Sequence, residues 1–169
     1  MKNKKYIITF AGAIGCSKTP IANYLSTRLN LSVFNNDAIR TEVSEDLGHY
    51  NEIEYLKRRD IRLKFTLEQN KSFILDASVD RVWPDFRVLV NRYKYQTYII
   101  SIDLNKSFLK KLYKIKGYNE SANRLNSVLL DHEKFLSSYA NQVNLHISDK
   151  DFSKRLEKSY KAIRNWLNK

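Results

Sequence analysis

The sequence predicts an α/β fold, a parallel sheet covered by helices on both faces. Three observations point there. Short segments rich in β-branched and aromatic residues alternate five times with amphipathic helical segments. The alternation runs through 169 residues without internal repeat, low-complexity tract or linker, so one domain spanning residues 1–169 is expected. Glycine, asparagine and aspartate also gather just after the strand segments, at the edge where a parallel sheet binds its ligands.

Residues 5–11 form the first strand, since Tyr6, Ile7, Ile8, Thr9 and Phe10 make the continuous run expected of a strand buried on both faces. A turn over 12–18 leads into a helix from about 19 to 29, with Ile21, Tyr24 and Leu25 at helical spacing. Pro20 suits its first turn, where an amide proton has no intrahelical partner. Residues 31–34 are the second strand, closed by Asn35-Asn36-Asp37. A brief helix through Val43 and an acidic loop over 44–51 follow. The long helix over 52–69 carries Lys57, Arg58, Arg59, Arg62 and Lys64. Residues 72–75 form the third strand, ending at Asp76, and 82–93 the next helix. The fourth strand, 96–102, holds no charge until Asp103. A basic helix over 107–115, a polar break over 117–121, a helix over 125–139, a last strand over 143–147 and a helix over 152–167 complete the chain.

Composition narrows the function classes. With 43% hydrophobic and 12% aromatic residues the chain builds a core, which argues against disorder. Thirty Lys and Arg against eighteen Asp and Glu give a net charge of +12, which favours anionic partners: phosphates, nucleic acid or an anionic membrane surface. A single cysteine, Cys16, excludes an internal disulfide framework and a multi-cysteine zinc site. His49, His132 and His146 are too dispersed for a local metal motif, and they carry no further signal. No apolar run approaches the roughly 20 residues of a membrane span. The basic start followed by an apolar run and Cys16 resembles a lipoprotein signal. The β-forming character of that run and the amphipathic helix after it favour a retained first strand, in a soluble, cytoplasmic protein.

The chemistry concentrates in Gly12-Ala13-Ile14-Gly15-Cys16-Ser17-Lys18-Thr19. This octet departs by one residue from the phosphate-binding pattern G-x-x-x-x-G-K-[ST], with Ser17 at the second required glycine. Its physics is legible. A loop leaving a buried strand turns amides inward, the following helix N-terminus adds partial positive charge, and Lys18 adds a full one. Thr19 offers a hydroxyl to Mg²⁺. Two of the chain's four glycines lie in these eight residues. The plainer reading is a strand–turn–helix connection with a surface lysine; the strand before and helix after favour phosphate binding.

Phe10 to Thr19, then Asn36-Asp37-Ala38-Ile39-Arg40, then Ile74-Leu75-Asp76-Ala77-Ser78, together resemble the small P-loop kinases. These are the nucleoside, nucleotide and small-metabolite kinases with their polynucleotide-kinase and zeta-toxin relatives. The resemblance implies a P-loop NTPase three-layer sandwich, a five-stranded sheet ordered 2-3-1-4-5, and a short basic lid at about 113–124. It implies ATP and Mg²⁺, with Lys18 on the donor's terminal phosphates and Thr19 and Asp76 at the metal. Asp37 would contact the acceptor hydroxyl and Arg40 would help bind the acceptor. Asp37 also reads as a helix N-cap, and Asp76 as a turn residue.

Departures from the pattern matter. Ser17 puts a side chain where the loop calls for a backbone angle natural to glycine. Pro20 removes an amide that the family places on the α-phosphate. The lid carries lysines, among them Lys114 and Lys116, with Arg124, where the family has paired arginines able to grip phosphate bidentately. Arg58 and Arg62, four apart on one helix face, fit either an anionic acceptor or a solvated face paired with acids. Tyr93, Tyr95 and Tyr98 between basic residues fit base stacking or, more simply, core positions. The expected function is an ATP-dependent phosphotransferase acting on a small molecule. The alternatives are a 5′-hydroxyl polynucleotide kinase, or a nucleotide or nucleic-acid binder with weakened catalysis. A guanine-reading N-K-x-D segment is not evident, which disfavours a GTPase.

Overall fold

Apolar residues at alternating positions divide the interior into two layers, one on each face of a central sheet. The computed structural model describes residues 5–168. The strands are β1 (Tyr6–Ala11), β2 (Ser32–Asn35), β3 (Phe73–Ser78), β4 (Gln96–Asp103) and β5 (Leu145–Ser148). The helices are α1 (Lys18–Leu29), α2 (Asn36–Leu47), α3 (Glu52–Glu68), α4 (Trp83–Arg92), α5 (Lys106–Lys116), α6 (Asn119–Asn123), α7 (Leu125–Tyr139) and α8 (Arg155–Leu167). Short 3₁₀ turns at Ala140–Gln142 and Asp149–Lys154 flank β5. All strand pairs are parallel, and the sheet order is β2-β3-β1-β4-β5, the order the resemblance implies.

Ile8 and Phe10 of β1 and Ile100 and Ile102 of β4 point to the layer of α1, α5 and α8, where they meet Ile21, Leu25, Leu109 and Ile163. Ile7, Ala11 and Ile99 point the other way, against Leu67, Trp83, Phe86 and Phe135. This period-two alternation on strands buried from both sides is why they read as nearly continuous apolar runs. Tyr95 and Tyr98 are buried core residues and Tyr93 packs beside them, so the base-stacking reading gives way to the core one.

Two local departures bear on function. α2 continues to Leu47, one turn past the expected stop at Val43, and the acidic residues assigned to a loop lie on it. There Glu42 and Asp46 reach Arg58 and Arg62 on α3, and Gly48 closes the helix in the left-handed conformation. At β3, Ile74 pairs with Ile8 but Ser78 pairs with Phe10, so β3 bulges between them. Asp76 sits inside that bulge, opposite Asn35 of β2.

Candidate active site

The segment between β1 and α1 wraps back on itself as a phosphate loop does. Gly12 and Gly15 take positive φ values of 132° and 72°. A Cβ at Gly12 would lie 2.9 Å from the Ile102 carbonyl oxygen, and one at Gly15 would lie 2.8 Å from the Tyr113 ring. Ser17 also sits in the left-handed region, at φ 90°, so the position does require glycine-like backbone. Its hydroxyl accepts a 2.7 Å hydrogen bond from Nε of Arg155, the first residue of α8. Lys18 folds over the loop, its ammonium 2.6 Å from the Ala13 carbonyl oxygen and 3.0 Å from that of Gly12. Cys16 is buried behind it, and burial pushes its thiol pKa up.

The three motifs converge. Asp76 is buried at the end of β3, and burial raises its carboxyl above the ordinary aspartate value. The Thr19 hydroxyl and the Lys18 ammonium are near enough to pull that value back, and the Asp37 carboxylate near enough to add to the rise. These four side chains therefore share one electrostatic site at the carboxyl ends of β1, β2 and β3. The helix-cap reading of Asp37 does not hold. The cap of α2 is Asn35, whose carboxamide oxygen accepts from the amides of Asp37 and Ala38 at 2.8 and 3.2 Å. The Asp37 side chain stays 88% exposed, with Arg40 at 3.8 Å. Arg40 stacks on the rings of Tyr55 and Tyr50, at 4.3 and 5.5 Å, and donates to the Tyr50 hydroxyl. Beside Asp37, the Asn36 side-chain oxygen is buried without a hydrogen-bond partner among the described residues.

The expected lid meets the loop in part. Tyr113 donates to the Ile14 carbonyl at 2.5 Å and Lys116 to that of Gly15 at 2.7 Å. Desolvation, with the charges of Arg155 and Lys18, lowers the Lys116 pKa. The Lys114 side chain makes no hydrogen bond or ion pair among the described residues, and Arg124 stands at the start of α7. Arg58 is held by Glu54, Glu42 and Asp46, at 2.8, 2.8 and 2.5 Å, and Arg62 by Glu42 at 2.6 Å. These acids satisfy both guanidinium groups, so the paired, solvated reading replaces the anionic-acceptor one. Glu42 is correspondingly lowered to about 2 by hydrogen bonds from Arg62 and Arg58.

A partly buried network that the sequence did not announce supports the loop from behind. Asp80, 7% exposed, accepts the Gly12 amide with both oxygens, at 3.1 and 3.2 Å. His132 of α7 lies between Asp80 (3.3 Å) and Asp103 (2.9 Å), and His146 of β5 meets the second Asp103 oxygen at 2.6 Å. Burial alone would lower the His132 pKa, but the hydrogen bonds and charges of Asp103 and Asp80 overcome it and raise it to about 9. Asp103 is held below its ordinary value despite burial, by His132, Ser101 and His146. His132 is thus a bridging cation, contrary to its reading as uninformative.

Residues fit a nucleotide and a divalent cation. The loop offers amides and Lys18 to phosphate, while Thr19 and the buried Asp76 offer oxygen to a hard cation. Among the described residues no group of three or more His, Cys, Asp or Glu could hold a metal alone, so phosphate oxygens and water would complete its shell. No helix among them is long and apolar enough to cross a membrane.

No family model matches the chain, and no curated protein matches it in sequence. Solved structures match its fold. The shikimate kinase of Bacteroides thetaiotaomicron superposes with a TM-score of 0.61 at 14% identity, over 97% of this chain and 99% of that one. The gluconokinase of Sinorhizobium meliloti 1021 gives 0.61 at 11% identity, over 95% and 93%. The APS kinase of Mycobacterium tuberculosis, solved with AMPPNP and APS, gives 0.61 at 12% identity, over 95% and 98%. The chain has the fold of the small P-loop kinases.

Proposed function

We propose that the protein is an ATP-dependent phosphotransferase that moves the terminal phosphoryl group of a nucleoside triphosphate to a small acceptor. The observation that carries this reading is that Lys18, Thr19 and Asp37 all act on the buried Asp76 carboxyl at one edge of the sheet. It is supported by solved neighbours that are kinases of shikimate, gluconate and APS. The loop amides and Lys18 bind the donor phosphates and hold them in place. A Mg²⁺ held through Thr19 and Asp76 would neutralise charge on the phosphate oxygens. Asp37 faces the acceptor, orients its hydroxyl and takes the proton as the oxygen–phosphorus bond forms. The bond to the departing nucleoside diphosphate breaks in line with it. Arg40, packed over the rings of Tyr50 and Tyr55, offers donors to an anionic or hydroxyl-rich acceptor.

The testing experiment is a crystal structure with a non-hydrolysable ATP analogue and Mg²⁺. The triphosphate should lie in the 12–19 loop with Asp37 facing its terminal phosphate. A loop that stays empty at millimolar analogue overturns the proposal. The net charge of +12 supports a second acceptor class, a polynucleotide 5′ end. Binding of a short oligonucleotide that falls about 10³-fold between 50 and 200 mM salt, the scale for some six phosphate contacts, would move the assignment there.

A further inference from the structure

Three cations ring the loop, and none has a carboxylate partner among the described residues. Lys18 donates to the Gly12 and Ala13 carbonyls, Lys116 to that of Gly15, and Arg155 to the Ser17 hydroxyl and the Phe152 carbonyl. Arg155 is the unexpected member, because it comes from 138 residues along the chain. Acidic side chains lie close to it in sequence and are engaged elsewhere. Asp151 holds Ser148 and Lys158, Asp149 holds Asn105, and Glu157 accepts from Tyr24. The guanidinium is left half-buried, with burial lowering its pKa. Only neutral oxygens touch it. Partly desolvated positive charge of this kind is relieved by an anion.

The same end of α1 is short of donors. No side chain caps α1, so the free amides of its first turn are available to an anion, and Pro20 removes one of them. Ser17, meanwhile, occupies a left-handed backbone that glycine adopts without strain. What the serine adds is the hydroxyl on which Arg155 rests. The Phe152 ring packs against the guanidinium, its centroid 4.1 Å from Cζ.

We infer that Arg155 is a donor-binding residue: seated by the Ser17 hydroxyl and the Phe152 ring, it places a charged fork at the rim of the loop for the phosphates of a nucleoside di- or triphosphate. This rests on the phosphotransferase reading above. Under it, the serine in the motif is half of a serine–arginine device that restores phosphate contacts at the helix N-terminus, and the nucleotide site extends from the 12–19 loop to the first turn of α8.

Calorimetric titration with Mg·AMPPNP and with inorganic tripolyphosphate tests this on wild type, Arg155→Ala, Ser17→Ala, the double variant and Lys18→Ala. Arg155→Ala should weaken both ligands about tenfold or more, the scale of a charge-assisted hydrogen bond, with little change in melting temperature. Ser17→Ala should weaken them less, and the double variant should bind no worse than Arg155→Ala alone, since the two residues act as one unit. Wild-type affinity in Arg155→Ala, with Lys18→Ala impaired, overturns this inference and leaves the phosphotransferase standing. Loss of AMPPNP affinity without loss of tripolyphosphate affinity also overturns it, by placing Arg155 at the base or ribose. If Arg155→Ala melts early, Arg155→Lys decides: it keeps the charge without the fork, so part of the affinity should return, and failure to recover any counts against the inference. A wild type that binds neither ligand overturns the phosphotransferase reading itself.

Discussion

His132 Nε2 lies 2.9 Å from Asp103 Oδ1 while its other ring nitrogen faces Asp80, so one imidazolium bridges two partly buried carboxylates behind the β1–α1 loop. Its folded pKa, about 9, lies above the ordinary 6.5. The bridge therefore stabilises the fold fully below about pH 6.5, and that contribution disappears as pH rises through 9. The loss is on the order of 3 kcal/mol, from a shift of roughly two and a half units. Urea unfolding between pH 6.5 and 10 should show this slope in wild type and a much flatter one in His132→Gln. Equal slopes would remove the charged bridge.

Lys18→Ala should lower affinity for Mg·AMPPNP by about a hundredfold, consistent with losing a charged hydrogen bond to phosphate. The fold should lose only about 1–2 kcal/mol, the scale of ammonium–carbonyl bonds to Gly12 and Ala13. Calorimetry and melting measure the two effects separately. Unfolding instead would make Lys18 a structural residue.

Asp37→Asn should leave stability within about 0.5 kcal/mol, because Asn35 caps α2 and the Asp37 side chain is exposed. Nucleotide affinity should hold or rise slightly with one negative charge gone. Turnover on an identified acceptor should fall by about 10²-fold or more, the scale for losing a general base. Unchanged turnover would take Asp37 out of the mechanism.

Gly15→Ala should disturb both fold and site. The new methyl would meet the Tyr113 ring at 2.8 Å and Tyr118 at 3.1 Å, at a φ of 72°. We expect a stability loss of about 1–3 kcal/mol, the scale for strained left-handed backbone and crowding. Weakened nucleotide binding should accompany it. A neutral effect in melting and titration would mean that Tyr113 and Tyr118 do not pack on the loop in solution.

The strands and the loop were legible because their signals are local. Ile7 through Phe10 and Ile99 through Ile102 carry the β-forming runs, and Gly12, Lys18 and Thr19 keep their spacing through any tertiary arrangement. The extra turn of α2 was hidden because it depends on Glu42 and Asp46 finding Arg58 and Arg62 on another helix. The bridge from Gly12 through Asp80, His132 and Asp103 to His146 joins the β1–α1 loop to the segment after β3, to α7 and to β4 and β5, so no sequence window contains it. Arg155 left no local trace, since its role depends on α8 returning beside α1.

The loop's own carbonyls already engage the side-chain donors around it. Lys18 lies on those of Gly12 and Ala13, Lys116 on that of Gly15, and Tyr113 on that of Ile14. On the phosphotransferase reading, an arriving phosphate competes with a tethered rival, present at high effective concentration because it belongs to the same chain. Binding becomes an exchange of partners, and its enthalpy reflects the difference between phosphate and carbonyl as acceptors. Selectivity follows from this. A monoanion offers these donors little more than the carbonyls do, whereas the dense charge of a polyphosphate can draw several of them away together.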